Sequence, residues 1–413
     1  MAIKILGLGL SVPKHQMTQA EALQMFQAIV CEDERQARLA TVLFRKSEIQ
    51  SHYTVLPHKV AYNWCQPVDT AAESSSGQDR AVPSPVTPQV VAGQSCGPTT
   101  RERMELYARF ASDLAVEAAS RALQDAGVAA AHITHLVVVT CTGFDAPGVD
   151  LELIERLGLP RTTQRVQVGF MGCHGAINGL RTALAMAGSN PRARVLMCAV
   201  ELCSLHYRFT WDAEGIIGNA LFADGSGALV IAADSADQDL PGADGKQPVK
   251  QPVKQPGSQP EDAPGEWQIE DTGSVVISDS RQAMSWSVGD HGFDMRLTSD
   301  VGDKIESQLS GWLTDWLAQH QLTLSDITYW GVHPGGPRIL SAVQNSLNLN
   351  PVALSVSRGV LQRHGNMSSP TVLFILNEFR QMRSNRGNGG VEYCVLLGFG
   401  PGLVAEIALL RVA

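Results

Sequence analysis

Arg165-Val-Gln-Val-Gly-Phe-Met-Gly-Cys-His-Gly-Ala-Ile-Asn-Gly-Leu180 decides how the rest of the chain is read. Its apolar, β-rich run from Val166 to Phe170 predicts a buried strand, and the Gly172/Gly175 pair lets the backbone turn tightly behind it. Ile177, Leu180, Leu184 and Ala187 then recur at helical spacing, so Cys173 falls at or beside a helix N-terminus. Unpaired amide N–H groups and the positive end of the helix dipole favour a thiolate there, which makes Cys173 a candidate nucleophile. A buried structural cysteine is the alternative reading of the same position.

Two later segments supply partners for that thiol. Trp330-Gly-Val-His-Pro-Gly-Gly-Pro337 puts His333 at the end of a strand-like run, where a Pro/Gly-rich turn is expected to expose the ring as a base. His364-Gly-Asn-Met-Ser-Ser-Pro370 puts Asn366 and two serines in a loop before an apolar, helix-like run from Val372 to Phe379. Thiol, imidazole and amide together can make a thiolate and hold an oxyanion. Taken singly, the histidine also reads as a hydrogen-bonded structural residue and the asparagine as a helix cap.

The chain resembles the type III polyketide synthases, the chalcone synthase-like branch of the thiolase superfamily, and within them the bacterial type. The resemblance is carried by Gly172-Cys173, Ala220-Leu-Phe-Ala-Asp-Gly225, His333-Pro-Gly-Gly-Pro-Arg-Ile-Leu340, Gly365-Asn-Met-Ser-Ser369 and Gly398-Phe-Gly-Pro-Gly402, in the family's order and near its spacing. It spans about Gly7 to Glu406 outside two insertions. It implies an α/β thiolase-like fold of two pseudo-duplicated halves, layered α-β-α-β-α, in a homodimer. Residues 1–234 would form the half with the nucleophile, interrupted by a low-complexity insertion at 65–97. A low-complexity linker at 235–265 would lead to a second half, 266–413, carrying the histidine and asparagine.

The resemblance also implies roles. Cys173, His333 and Asn366 would be catalytic. Phe222 would stand between the acyl-CoA tunnel and the product cavity, with Met295 at a second gate position and Trp286 where plant members carry a small residue. Cys203, His206 and Ser368 would line the cavity, and Gly335 would contact substrate. Lys46 and Arg338 would meet coenzyme A phosphates. The family's other two basic positions fall on Leu39 and Val42, where Arg38 and Arg45 either substitute or form a solvated helix face. A methionine that reaches the partner's cavity in relatives is Ala146 here, so the partner would contribute less wall. Core packing is the competing reading for Phe222, Met295, Trp286 and His206.

Composition agrees with a large enzyme. The 413 residues, 44% hydrophobic, can bury a substantial core. A net charge of −9 argues against a nucleic-acid surface and asks for a local basic mouth if acidic substrates bind. Eight cysteines without a CxxC pair give neither a disulfide framework nor a zinc site, which fits a reducing cytoplasm. A basic-then-apolar leader and a run of about 18 apolar residues are both missing from the sequence, so neither export nor a membrane span is expected.

The first strand is expected in Ile3-Lys-Ile-Leu-Gly-Leu-Gly-Leu-Ser-Val-Pro13, and a dinucleotide loop is not, because a third glycine is missing and Pro13 follows. Helical patterning covers Met17 to Phe44 and about Arg101 to Gly127. Leu136 to Thr140 and Val195 to Val200 read as buried strands. Cys65 to Gly97 is Pro-, Ser- and Gly-rich, which predicts a mobile loop, and Lys246-Gln-Pro-Val-Lys-Gln-Pro-Val-Lys-Gln-Pro256 predicts an extended tether. The second half is expected to resume at Val275-Val-Ile277. It continues through an amphipathic helix holding Trp312 and Trp316 and closes on a strand pair with its turn at Gly398.

The expected reaction is decarboxylative condensation. Cys173 would take an acyl group from acyl-CoA, and His333, paired as an ion with the thiolate, would join Asn366 in stabilising the thioester oxyanion and the malonyl-CoA enolate. No metal or bound cofactor is needed for this chemistry. The gate residues favour a bacterial-type alkylresorcinol or alkylpyrone synthase, with a malonyl-primed synthase of a small polyhydroxylated aromatic as the near competitor, since Cys141 and the Cys203/His206 wall suit that group too. Three other readings are a single-condensation ketoacyl synthase on an acyl carrier protein, a cysteine hydrolase, and an idle thiolase-like binding subunit.

Overall fold

A computed structural model describes residues 2–57, 97–212, 215–234, 267–386 and 390–413. The insertion proposed at 65–97 lies outside them except for Gly97, and the linker proposed at 235–265 lies outside them entirely.

The main strands are β1 (Ile3–Ser11), β2 (His15–Thr18), β3 (Ser51–Thr54), β4 (His135–Thr140), β5 (Gln164–Gly169), β6 (Arg194–Leu202), β7 (Asp224–Ala233), β8 (Trp267–Val276), β9 (Met284–Gly289), β10 (Gly292–Leu297), β11 (Ile327–Val332), β12 (Glu392–Gly400) and β13 (Val404–Val412). Among the described residues nine of them share one sheet in the order β11-β12-β13-β8-β1-β7-β6-β4-β5, while β9–β10 and β2–β3 are separate antiparallel pairs.

The order contains the same motif twice. β4 runs parallel to β6, which is antiparallel to β7, which is antiparallel to β1. β11 runs parallel to β12, which is antiparallel to β13, which is antiparallel to β8. The two sets meet where β1 pairs antiparallel with β8, and β5 extends the first set by one strand.

Layering follows from strands that bury both faces. In β4, Leu136 and Val138 enter one core cluster while Val137 and Val139 enter another. In β12, Val395 and Leu397 enter a third cluster while Cys394 and Leu396 enter the second. That second cluster also takes Ile177, Leu180 and Ala183 of helix Gly175–Ser189 and Val372, Ile375 and Phe379 of helix Thr371–Arg386. Two buried helices therefore lie between the two halves' strands. Helix Thr100–Ala126 covers the outer face of the first half, and helix Val301–Gln319 that of the second. This is the α-β-α-β-α arrangement of the thiolase fold.

Local differences have local causes. The helical stretch Met17 to Phe44 is two helices, Gln19–Val30 and Glu34–Lys46, each opened by its own cap: a Thr18/Glu21 capping box and Asp33. β8 begins at Trp267, earlier than Val275, because polar residues in Trp267–Ser274 mask a strand that pairs with β13. The closing turn is Pro401–Leu403, not Gly398, which sits inside β12 opposite Glu406. Gly7 and Gly9 lie against the backbone of helix Thr100–Ala126 at Ala122 and Ala118, so they allow close strand–helix approach.

Candidate active site

Helix Gly175–Ser189 is preceded by a 3-10 turn, Gly172–His174, that carries Cys173. Phe170 and Gly172 take left-handed backbone (φ 55° and 71°), and a Cβ on Gly172 would come within 2.5 Å of Pro401. The thiol thus stands on a tight, Gly-dependent corner below the β12–β13 turn.

Cys173 opens into a pocket with an empty volume of about 350 Å³. From the positions expected on sequence grounds, Phe222, Met295, Trp286, Cys203 and Ser368 line it beside Cys173. Cys141, Thr142, Gly172, Met284, Ser285 and Pro401 complete the wall. Six cysteines among the described residues, Cys141, Cys173 and Cys203 included, are free thiols.

His333 and Asn366 are not among the lining residues and are buried, at 1% and 2% exposure. The Pro/Gly turn does not expose the His333 ring. Its backbone N–H donates to Leu397 O at 2.7 Å, which continues the β11–β12 pairing and holds the side chain inside. Asn366 is oriented by its own loop: its Oδ1 accepts from the Ser368 N–H at 2.8 Å, which leaves its NH2 free to donate elsewhere. The loop is fastened to Phe222 by Asn366 N–H to Leu221 O (2.8 Å) and Ala223 N–H to Asn366 O (2.9 Å).

No hydrogen bond links Cys173 to the His333 ring among the described residues. Burial pushes the Cys173 thiol up to about 11, and nearby Glu201 adds to the rise, while hydrogen bonds from Ser368 and Asn366 oppose it. Burial and the neighbouring His174 hold the His333 ring down to about 3, and neither ring nitrogen has a hydrogen-bond partner among the described residues. Burial disfavours either charge formed alone, whereas two opposite charges formed together would offset both shifts.

Glu201 is fully buried under this pocket. It accepts from Cys141 N–H (2.9 Å), Thr142 N–H (3.1 Å), Thr142 Oγ1 (2.7 Å) and Ser369 Oγ (2.6 Å), which ties the first half's Cys141 loop to the second half's Asn366 loop. Desolvation raises its carboxyl, against those bonds. Sequence reading missed Glu201, although a lone acid within the all-buried strand β6 is a usable signal.

His206 is corrected from cavity lining to wall brace. Its Nε2–H donates to Thr142 O at 2.6 Å, its Nδ1 accepts from Phe293 N–H at 3.0 Å, and the ring stacks on Phe293 at 4.2 Å. Burial holds it down to about 3. Between pH 6.5 and 3 the unfolded chain binds a proton there that the folded protein excludes, so stability is lost as pH falls below 6.5. His206→Gln is expected to flatten the stability-versus-pH curve in that window by up to about 1.4 kcal/mol per pH unit. Urea unfolding from pH 7 to 4 reads it, and an unchanged slope would contradict the neutral, buried ring.

Lys46 and Arg338 do not line the pocket. Lys46 is exposed in the last turn of helix Glu34–Lys46, and Arg338 is an exposed side chain paired with Asp303 at 3.1 Å. Arg38 pairs with Glu34 on a solvated helix face. Gly335 lies beside His333, to whose carbonyl its N–H donates at 3.0 Å.

A thiol on a helix-opening corner, with an oriented amide, a buried imidazole and an apolar pocket, is equipped for acyl transfer. Comparison with known proteins gives the class. Residues 86–235 match chalcone and stilbene synthases, N-terminal domain, and residues 268–413 match chalcone and stilbene synthases, C-terminal domain. The chain belongs to this family, the type III polyketide synthases, and is an acyltransferase. It is 30% identical to type III polyketide synthase C of Arabidopsis thaliana over 98% of this chain and 94% of the relative. It is 32% identical to the alpha-pyrone synthesis polyketide synthase-like Pks18 of Mycobacterium tuberculosis over 75% and 72%. The crystal structure of PKS-I from the brown alga Ectocarpus siliculosus superposes with a TM-score of 0.80 at 29% identity, covering 100% of this chain and 98% of that one.

Proposed function

We propose that this synthase condenses malonyl-CoA units onto a starter held as a thioester on Cys173 and releases an alkylpyrone- or alkylresorcinol-type product, as bacterial-type members would. Cys173, deprotonated by His333 as substrate enters, attacks the acyl-CoA carbonyl, and coenzyme A leaves as the thiol. Malonyl-CoA then loses CO2, and its enolate carbon attacks the Cys173 thioester. The thiolate is released and a chain two carbons longer remains on coenzyme A. His333 and Asn366 donate to the oxygen that gains charge in each step. The products require only CoA thioesters.

The observation that carries the reading is the pocket wall, where Phe222 and Met295 line the same pocket as Cys173. Met295 is unbranched and can swing aside for a flexible aliphatic chain at low cost. A similarity to a relative named for alpha-pyrone synthesis supports the same class of product. Purified enzyme with malonyl-CoA and a panel of acyl-CoA starters, products read by mass spectrometry, tests it. Several malonyl additions without carrier protein also exclude a single-condensation ketoacyl synthase. Met295→Phe should depress turnover of long acyl-CoA starters much more than of short ones. Equal losses on both would remove Met295 from starter selection.

One feature favours the competitor. Trp286 donates its Nε1–H to Cys141 O at 2.9 Å and meets Phe222, His206 and Phe293 edge-on, at centroid distances near 6 Å. Pinned there, its indole takes up part of the cavity wall beside Cys173 and leaves less room for a long chain. A wild type that ignores every fatty acyl-CoA and makes product from malonyl-CoA alone would select the malonyl-primed reading.

We assign the working form as a homodimer. Support comes from exposed Phe170 and Met171, which follow β5, the strand that ends the sheet among the described residues, and from exposed Phe144 in the loop after β4. A monomer at micromolar concentration in sedimentation equilibrium would end that assignment. The free thiols favour a reducing, cytoplasmic location. No described helix is long and apolar enough to cross a membrane.

A further inference from the structure

Four lining residues of the pocket, Met284, Ser285, Trp286 and Met295, come from the β9–β10 hairpin, which stands outside the main sheet. Met295 pairs directly with Trp286 across the ladder. An isolated two-stranded hairpin is marginal in water, so its position must be set by what it is tied to.

The base is tied by Gly402 N–H to Met284 O (2.8 Å), and the middle by Trp286 and by Phe293 to His206. The tip is held by a segment with no other part in the site. Thr100 N–H donates to Asp290 O at 2.8 Å, Thr100 Oγ1 donates to Gly289 O, and Gly292 N–H donates to Thr100 Oγ1 at 2.9 Å. One hydroxyl thus satisfies both strands of the turn.

One helical turn on, Arg103 is 1% exposed. Its Nε–H donates to Pro98 O (2.9 Å), and its Nη1 donates to Tyr207 O (3.0 Å) and Leu205 O. Its guanidinium also lies over Phe209 at 5.7 Å. It holds Pro98–Thr99 and the Cys203–Tyr207 turn together, and that turn carries both pocket-lining Cys203 and the His206 brace.

We propose that Thr100 and Arg103 are positioning residues for product specificity: they clamp the gate hairpin's tip to the cavity's back wall and so set how far Trp286 and Met295 intrude on the growing chain. The proposal rests on the polyketide synthase reading above. Neither residue touches the pocket, so decarboxylation of malonyl-CoA is unaffected by loosening the clamp, whereas the number of extensions before release shifts.

Thr100→Val keeps the shape and removes both hydroxyl bonds, while Thr100→Ser keeps them. Amide exchange across Gly289–Met295 should run about three- to tenfold faster in Thr100→Val, the range for loss of a net hydrogen bond. Its ratio of shorter to longer polyketides should change, with Thr100→Ser restoring wild-type values and malonyl-CoA decarboxylation constant throughout. An unchanged product ratio, or the same change in Thr100→Ser, overturns the proposal. If Thr100→Val fails to fold, Arg103→Lys takes its place, with loosened exchange and a shifted ratio again expected. A wild type that makes no polyketide sinks the preceding reading instead, and the clamp is then judged on the exchange alone.

Discussion

Cys173→Ala will fold, bind acyl-CoA and carry no acyl group. The substitution removes one sulfur from a partly open site and leaves the corner's glycine geometry untouched, so its effect falls on chemistry. Intact-protein mass spectrometry after exposure to acyl-CoA will show an adduct on the wild type and none on the variant, with condensation abolished. Two other thiols line the same pocket, which sharpens the test. Cys141 and Cys203 are more deeply buried, and burial holds both well above the ordinary thiol range. An acylated Cys173→Ala protein with the label on either one would assign the nucleophile elsewhere.

His333→Ala and Asn366→Ala will each lose at least about a hundredfold in malonyl-CoA decarboxylation, the scale for removal of one oxyanion donor. The two should fail in different ways. Asn366 Oδ1 is occupied by Ser368 N–H, so Asn366→Ala also frees that loop next to Phe222. The His333 ring makes no hydrogen bond among the described residues, so His333→Ala leaves a cavity and little else disturbed. Single-turnover decarboxylation with each variant reads the loss, and a near-normal rate in either would give that residue another part.

The setting of Cys173 on a helix-opening corner was legible because its signal is local: a β-rich run, Gly172 and Gly175, and a helical repeat between Val166 and Ala187, although β5 is largely exposed where a buried strand was expected. The fold's duplication was not, since it lives in strand order and the two sets share no visible repeat. It became an expectation only through the family's motifs. His333 was found but misplaced. A Pro/Gly turn looks exposing in sequence, whereas one backbone bond to Leu397 turns the ring inward. Thr142, Met284 and Ser285 had no signal of their own, because what makes them wall is contact between segments far apart in the chain. For His206, a polar residue beside a strand end reads alike whether it points into a cavity or braces its back. Only the paired bonds to Thr142 and Phe293 tell the two apart.

The antiparallel contact between β1 and β8 joins the two halves while the site draws on both, with Cys173 from one and His333 and Asn366 from the other. During synthesis the thiol therefore emerges long before its donors, and β12, which fixes His333 through Leu397, is made almost last. If His333 and Asn366 have the proposed roles, a chain that stops before them would carry the cysteine without the means to stabilise an enolate. On the proposed roles, activity would then report that the final strand has found its place between β12 and β8.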